Sequence, residues 1–216
     1  MIRFPEHWTW RDEALTPGRA VVVDIDGVLS DASSRQHYLE YPRRDWRAFF
    51  DACGEDPVIE EVHRLLELLD RDLQIVLLTA RPHRVHHLTE AWLRRYGIRF
   101  DLLIMRPWGD YELARDFKES TVWELRATGF DLVLAFEDDR RNVAMFRHEG
   151  IPCLYVHSGY YDWPRIRPRS PDSALDHPGS RAERDPEDWE EGSVMRRPVA
   201  TSGVCGRARP DGGTCG

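Results

Sequence analysis

Acidic and basic side chains recur in this 216-residue chain at spacings that could bring them into one crevice. Asp24 and Asp26 follow a short run of valines, and Thr79 follows a second apolar run. Lys118 lies in a helical pattern, and the triplet Glu137-Asp138-Asp139 follows another apolar run. Two neighbouring carboxylates repel each other unless a cation lies between them or one keeps its proton. These residue types therefore point to a magnesium site, or to a nucleophilic carboxylate beside an acid.

The segment from Ala20 to Asp31 carries the first of these signals. Val21–Val23 has the length and composition of a strand buried on both faces. Gly27 allows a turn with backbone angles that a Cβ atom would forbid. An Asp-x-Asp after a strand is also a common turn signal, so the segment alone does not identify a function. An EF-hand is excluded, because its third ligand before the glycine and its glutamate at the twelfth position are missing.

Apolar runs of strand length alternate with amphipathic helical patterns before the last quarter of the chain. Such alternation predicts right-handed crossovers and a parallel sheet. We expect an α/β fold with a Rossmann-like, parallel, five-stranded sheet, strand order 5-4-1-2-3, and helices on both faces. The predicted strands are 21–23, 73–78, 102–105, 132–136 and 153–156. Parallel strands place their carboxyl ends on one edge, where Asp24, Thr79 and Asp138 should meet.

The segments around this core have weaker patterns. Residues 1–18 predict an irregular lead-in, and residues 32–56 predict a small helical insertion after the first strand. Asp56 followed by Pro57 predicts the start of a helix. If the first and fourth strands are neighbours, their helices leave in opposite directions, and a crevice opens between Asp24 and Asp138.

Composition limits the class of protein. Residues 163–216 contain nine arginines and nine acids, so the net charge of −8 belongs to residues 1–162. This negative net charge argues against electrostatic binding to the phosphates of duplex nucleic acid. Residues 163–216 hold half of the prolines and no apolar period, which predicts a disordered tail after a globular domain at 1–162. The four cysteines have no metal-ligand spacing, and no apolar run is long enough to span a membrane, so we expect a cytoplasmic protein.

The combination of Asp24-Ile25-Asp26-Gly27-Val28, Thr79, Lys118 and Glu137-Asp138-Asp139 resembles the haloacid dehalogenase (HAD) superfamily of phosphotransferases. By matched position, the resemblance implies that Asp24 is a nucleophile that forms an aspartyl-phosphate. It implies that Asp26 is the general acid and base, that Thr79 binds a phosphoryl oxygen, and that Lys118 bridges that oxygen and the nucleophile. It also implies Mg²⁺, with ligands from Asp24, Asp26 (through its carbonyl), Glu137 and Asp138.

Three further segments are similar to the phosphatase domain of phage-type polynucleotide kinases, which removes 3′-phosphates from nucleic-acid ends. They are Thr79-Ala80-Arg81, residues 136–147 and Val156-His157-Ser158-Gly159. This resemblance implies that Arg81 contacts the phosphate, joined by Arg106 or Arg115, as suits a bidentate donor. The chain departs from the family at Asp139, where an arginine is common. No Gly-x-x-x-x-Gly-Lys motif is present, so no kinase is expected in this sequence.

The sequence therefore predicts a Mg²⁺-dependent phosphomonoester hydrolase acting on nucleic-acid 3′-phosphate ends or nucleotides. A phosphatase of small metabolites or nucleoside monophosphates is the alternative. A receiver-like phospho-acceptor switch is disfavoured, because receivers place the acceptor Asp after strand three and the Lys after strand five. Asp26 also disfavours a switch, since an acid and base so close would speed loss of the phosphoryl group. The expected partner is a phosphorylated substrate, without stable duplex or membrane binding.

Overall fold

Six strands form one mixed sheet in the order β1-β4-β3-β2-β5-β6. This computed structural model describes residues 4–5, 7–40, 42–107, 109 and 112–161. The strands are β1 (Trp8–Trp10), β2 (Arg19–Val23), β3 (Gln74–Pro82), β4 (Leu102–Arg106), β5 (Asp131–Glu137) and β6 (Cys153–Tyr155). The predicted tail at 163–216, and the domain boundary at 162, lie outside the described residues.

The prediction of five parallel strands is wrong, because the sheet has six strands and is mixed. The full strand order differs by the addition of β1 at one edge, whereas the five predicted strands keep the order 5-4-1-2-3 among themselves. Residues 8–10, predicted to be irregular, form β1, which pairs antiparallel with β4 at the sheet edge. Trp8 is buried there and lies opposite Ile104. A three-residue strand among charged residues has too short a pattern to read from sequence, and its partner is almost a hundred residues away.

Alternate residues of β2 point to opposite faces of the sheet, as a period of two requires. Val21 and Val23 belong to one apolar core, and Ala20 and Val22 belong to the other. The first core contains residues of α1 (Trp46–Asp51), α2 (Glu60–Leu68) and α3 (His86–Arg95). The second contains residues of α4 (Ala114–Thr128) and α5 (Arg140–His148). Helices therefore cover both faces of the sheet, as predicted.

The site depends on the pairing of β2 with β5, which confirms the predicted neighbours. The two strands run parallel, and Val23 lies opposite Phe136. The segment after β2 packs into the first core, whereas α5, which follows β5, packs into the second. The two connections thus leave in opposite directions, and a topological switch point opens at the carboxyl ends of these strands.

The insertion after β2 is small and helical, as predicted. It comprises a 3₁₀ segment (Ala32–Leu39), α1 and a second 3₁₀ turn (Cys53–Glu55). The next helix, α2, begins at Glu60 rather than at Asp56. Asp56 is instead fully buried, and its carboxylate binds other side chains. No helix among the described residues is both long and apolar enough to cross a membrane.

Candidate active site

Asp24 leaves β2 at the carboxyl edge of the sheet, where its backbone N–H still donates to the Phe136 carbonyl at 3.1 Å. Lys118 extends from α4 into the same place and is almost fully buried. Its Nζ atom lies 3.1 Å from Asp24 Oδ1 and 2.7 Å from Glu137 Oε2. The ammonium group therefore bridges the ends of β2 and β5 and reduces the repulsion between their carboxylates.

Three buried carboxylates form the acidic part of the site. Asp24, Glu137 and Asp138 each offer an oxygen, and these oxygens all lie within 4.8 Å of one another. Both carboxylate oxygens of Asp138 are buried and have no hydrogen bond of regular geometry within the described part of the chain, although the nearby Ser158 side chain lowers the pKa of Asp138. Gly27, at φ +81°, brings the backbone so close that a Cβ atom would lie 1.9 Å from Asp138 Oδ2. Buried, unpartnered carboxylate oxygens are the donor set that a hard divalent cation such as Mg²⁺ prefers.

The electrostatics of this group favour a cation. Burial raises the pKa of the Asp24 carboxyl, Lys118 lowers it, and Glu137 raises it, so that the pKa is about 8. Burial, with Glu137 and Asp24, also raises the pKa of Asp138 well above its usual value. Without a metal ion, Asp24 is therefore largely protonated at neutral pH, and the charged form of Asp138 is disfavoured as well. A divalent cation would supply the missing positive charge and release bound protons.

Asp26 does not face this acidic group with its side chain. Its Oδ1 accepts hydrogen bonds from the Arg81 guanidinium at 2.6 and 3.0 Å, and from Arg35 Nη2. Burial raises the pKa of Asp26, but the two arginines outweigh it and hold the pKa below the usual range. The carboxylate of Asp26 is therefore bound to the two arginines and is not part of the acidic group.

Thr79 and Arg81, the predicted phosphate-binding residues of β3, lie beside Asp26. Thr79 is buried, and its hydroxyl accepts a hydrogen bond from the Arg81 backbone N–H at 3.2 Å. The Arg81 side chain is fully buried and also reaches Ser30 Oγ at 3.0 Å and Thr89 Oγ1 at 3.3 Å. The structure thus brings Arg81 to Asp26 and fixes it on several sides.

The remaining residues considered from the sequence, Arg106, Arg115 and Asp139, differ in burial and in their contacts. Arg106 is buried at the end of β4, with its guanidinium 5.7 Å from the Phe117 ring centre. Arg115 is half exposed in the first turn of α4 and lies 3.7 Å from Glu119. Asp139 caps α5 by accepting the Arg141 backbone N–H at 2.8 Å, and it is absent from the metal-ligand group found among the described residues.

A comparison with protein families matches residues 18–161 to the family described as the polynucleotide kinase PNKP phosphatase domain. The match covers the whole sheet except β1, and it includes every predicted site residue. The chain belongs to this family. The PNKP-type phosphatase domain is a HAD-type phosphatase, so the resemblance to the superfamily is confirmed.

Solved structures agree with this assignment. The PNKP-type domain aligns with a chain of the "Pnkp1/Rnl/Hen1 RNA repair complex" at 25% identity and a TM-score of 0.56, covering 73% of this chain and 48% of that one. A second structure, of the "Pnkp1/Rnl/Hen1 complex", aligns at 25% identity with a TM-score of 0.55, covering 69% and 48%. The chain therefore spans about half the length of these structural relatives.

Two residues of the site were not found from the sequence. By its charge Arg35 could contact a substrate, but its place in the insertion favours a solvated residue; in the structure it is fully buried and binds Asp26 and Asp56. Asp56 was taken for a helix cap. No local pattern sets these two residues apart, because residues 32–56 contain several other charged side chains, and the side-chain contacts that define their role span sequence separations of 9 to 26 residues.

Proposed function

We propose that the protein is a Mg²⁺-dependent phosphomonoester hydrolase that works through an aspartyl-phosphate on Asp24. Its proposed substrates are nucleic-acid 3′-phosphate ends or nucleotides. The observation that carries the proposal is the position of Lys118 between Asp24 and Glu137, beside the unpartnered oxygens of Asp138. Mg²⁺, held by these three carboxylates and the Asp26 carbonyl, would supply the positive charge that phosphoryl transfer requires.

In the first step, a carboxylate oxygen of Asp24 attacks the phosphorus atom and forms a P–O bond. The bond between phosphorus and the leaving oxygen breaks, and that oxygen takes a proton from Asp26. Lys118, only 3.1 Å from Asp24, lowers the pKa of the nucleophile, and Mg²⁺ would complete its ionisation; Lys118 can also reach a phosphoryl oxygen. When the phosphoryl group binds, Arg81 and Arg35 would shift part of their hydrogen bonding to it, so that the pKa of Asp26 rises and Asp26 takes up a proton from solvent before the first step.

In the second step, Asp26 takes a proton from water, and the water oxygen attacks the phosphorus atom. The P–O bond to Asp24 breaks, orthophosphate leaves, and both carboxyl groups return to their starting states. One acid thus serves in both directions, first as a proton donor and then as an acceptor. Thr79 is proposed to donate its hydroxyl to a phosphoryl oxygen, and Arg106 and Arg115 to approach the phosphate from the ends of β4 and α4.

The substrate class rests on the family and on the neighbours. The family is named for polynucleotide kinase, and one of the two structural relatives comes from a complex described as an RNA repair complex. These names support a nucleic-acid end as the substrate. The net charge of −8 supports the alternative, a phosphatase of nucleoside monophosphates or small metabolites, because it disfavours long polyanions.

The decisive experiment compares phosphate release from 3′-phosphorylated oligonucleotides, 5′-phosphorylated oligonucleotides and free nucleotides, with Mg²⁺ and with EDTA. We expect 3′-phosphorylated ends or nucleotides to react faster than 5′-ends, and EDTA to stop the reaction. Asp24→Asn should abolish it, whereas Asp131→Asn, an exposed acid at the opposite end of β5, should leave it unchanged. Equal rates on all three substrates would contradict the proposed preference for 3′-phosphate ends or nucleotides. Full activity of Asp24→Asn would contradict the assignment of Asp24 as the nucleophile.

A further inference from the structure

Asp56 is a buried carboxylate that touches neither the acidic group nor solvent. Its two oxygens accept hydrogen bonds from Arg35 Nε, both at 3.0 Å, and from Arg35 Nη2 at 2.7 Å. The Ser30 hydroxyl donates to it at 2.5 Å, and Arg81 Nη2 lies 3.5 Å away. One side chain thus meets both arginines that hold Asp26.

Asp56 is fixed from behind by groups that take no part in the site. Its carbonyl oxygen accepts hydrogen bonds from Trp92 Nε1 of α3 at 2.8 Å and from the hydroxyl of Tyr96, the residue that caps α3, at 3.3 Å. Two residues later, Val58 forms a bridge with Ser30. The position of the Asp56 carboxylate is therefore set by the fold rather than by the arginines it binds.

The charges explain why a second carboxylate is needed. Arg35 and Arg81 both donate to the same oxygen of Asp26, so two guanidinium cations are held together in a buried place. Like charges so close repel, and the single charge of Asp26 balances only one of them. Asp56 supplies the second negative charge, with a carboxylate oxygen 2.7 Å from Arg35 Nη2 and 3.5 Å from Arg81 Nη2.

We propose that Asp56 is a positioning residue for a two-arginine phosphate clamp. It holds Arg35 directly and keeps Arg81 close to it, so that both guanidinium groups face the oxygen of Asp26 before substrate binds. This inference rests on the proposed function, because it takes the phosphoryl group as the anion that the clamp receives. A clamp that is already in position avoids the ordering of two long side chains during each reaction cycle.

The test compares two variants that separate charge from shape. Asp56→Asn keeps the shape and removes the charge, whereas Asp56→Glu keeps the charge and adds one methylene group. With an aryl phosphate as substrate, we expect Asp56→Asn to lower kcat/KM roughly 10- to 100-fold and Asp56→Glu to lower it less. A role in packing alone predicts the reverse order. Asp51→Asn, which breaks the exposed contact with Arg84, is the control and should keep full activity.

A double-variant cycle adds a readout that a loss of folding would not give. In an Arg35→Gln background, Asp56→Asn should change kcat/KM less than threefold, because its effect passes through Arg35. Independent effects that multiply would overturn the proposal, and urea unfolding of each variant reports the folded fraction.

A measurement without turnover separates this inference from the proposed function. In NMR spectra, the Arg35 and Arg81 Nε–H signals should lose protection from exchange in Asp56→Asn and keep it in Asp51→Asn. Unchanged signals in Asp56→Asn overturn the positioning role, whether or not the enzyme is active. A wild-type protein without phosphatase activity whose signals respond as expected would support the positioning role and overturn the proposed function.

Discussion

Gly27→Ala tests the close approach between the first loop and Asp138. A Cβ atom at this position would lie 1.9 Å from Asp138 Oδ2 and 2.6 Å from its Cγ. Ordinary van der Waals contact begins at 3.4 Å, so the carboxylate must move by about 1.5 Å. A metal ligand displaced by that distance no longer reaches an ion that needs oxygens at about 2.1 Å. We expect the Mg²⁺ concentration for half-maximal activity to rise, and kcat/KM at fixed Mg²⁺ to fall about 100-fold.

Gly150→Ala separates this steric effect from backbone strain. Gly150 has φ +75°, close to that of Gly27, but a Cβ atom there would meet nothing within 4 Å. Both variants should lose about 1 kcal/mol of stability from the left-handed conformation. Only Gly27→Ala should lose activity and Mg²⁺ affinity.

The assay is phosphate release from an aryl phosphate over a range of Mg²⁺ concentrations, with urea unfolding measured alongside. If Gly27→Ala folds and keeps the wild-type dependence on Mg²⁺, Asp138 is not the ligand that this geometry indicates. Equal losses of activity in the two glycine variants would instead attribute the effect to strain.

Three further predictions concern the charges of the site. In EDTA, the free energy of unfolding measured with urea should fall as the pH rises from 3.8 toward about 8. The reason is that Asp24 keeps a proton in the folded state that the unfolded chain releases. Adding Mg²⁺ should remove this pH dependence. Lys118→Met should lower kcat about 100-fold or more, since two carboxylates lose their shared cation, and a folded variant with wild-type kcat would contradict this. Arg106→Met should lower kcat/KM for an aryl phosphate roughly tenfold, because Arg106 is buried at the end of β4. Arg115→Ala removes a half-exposed side chain and should lower kcat/KM less than about fivefold. A larger loss in Arg115→Ala would contradict the choice of Arg106, made from its burial, as the phosphate contact.

The antiparallel pairing of β1 with β4 at the sheet edge could not be predicted from local sequence patterns. The strands β2 to β6 could be predicted because each is an apolar run next to a helical pattern, which is local information. β1 depends on the pairing of residues 8–10 with residues 102–104, and no local pattern reports a partner so far along the chain. Asp56 was misread for the same reason, because Asp-Pro is a good local helix start and only the buried arginine reveals its role.

The sequence by itself determined the acidic group of this phosphatase domain, and the tertiary structure decided the arginine clamp. Asp24, Glu137 and Asp138 follow strand ends, and parallel strands place their carboxyl ends on one edge whatever the details of packing. Arg35 reaches Asp26 only because the insertion folds back onto the strand ends, and Asp56 meets it only because α3 holds the Asp56 carbonyl. Topology fixes residues attached to strands, whereas a buried ion pair between loops depends on the packing of the whole chain.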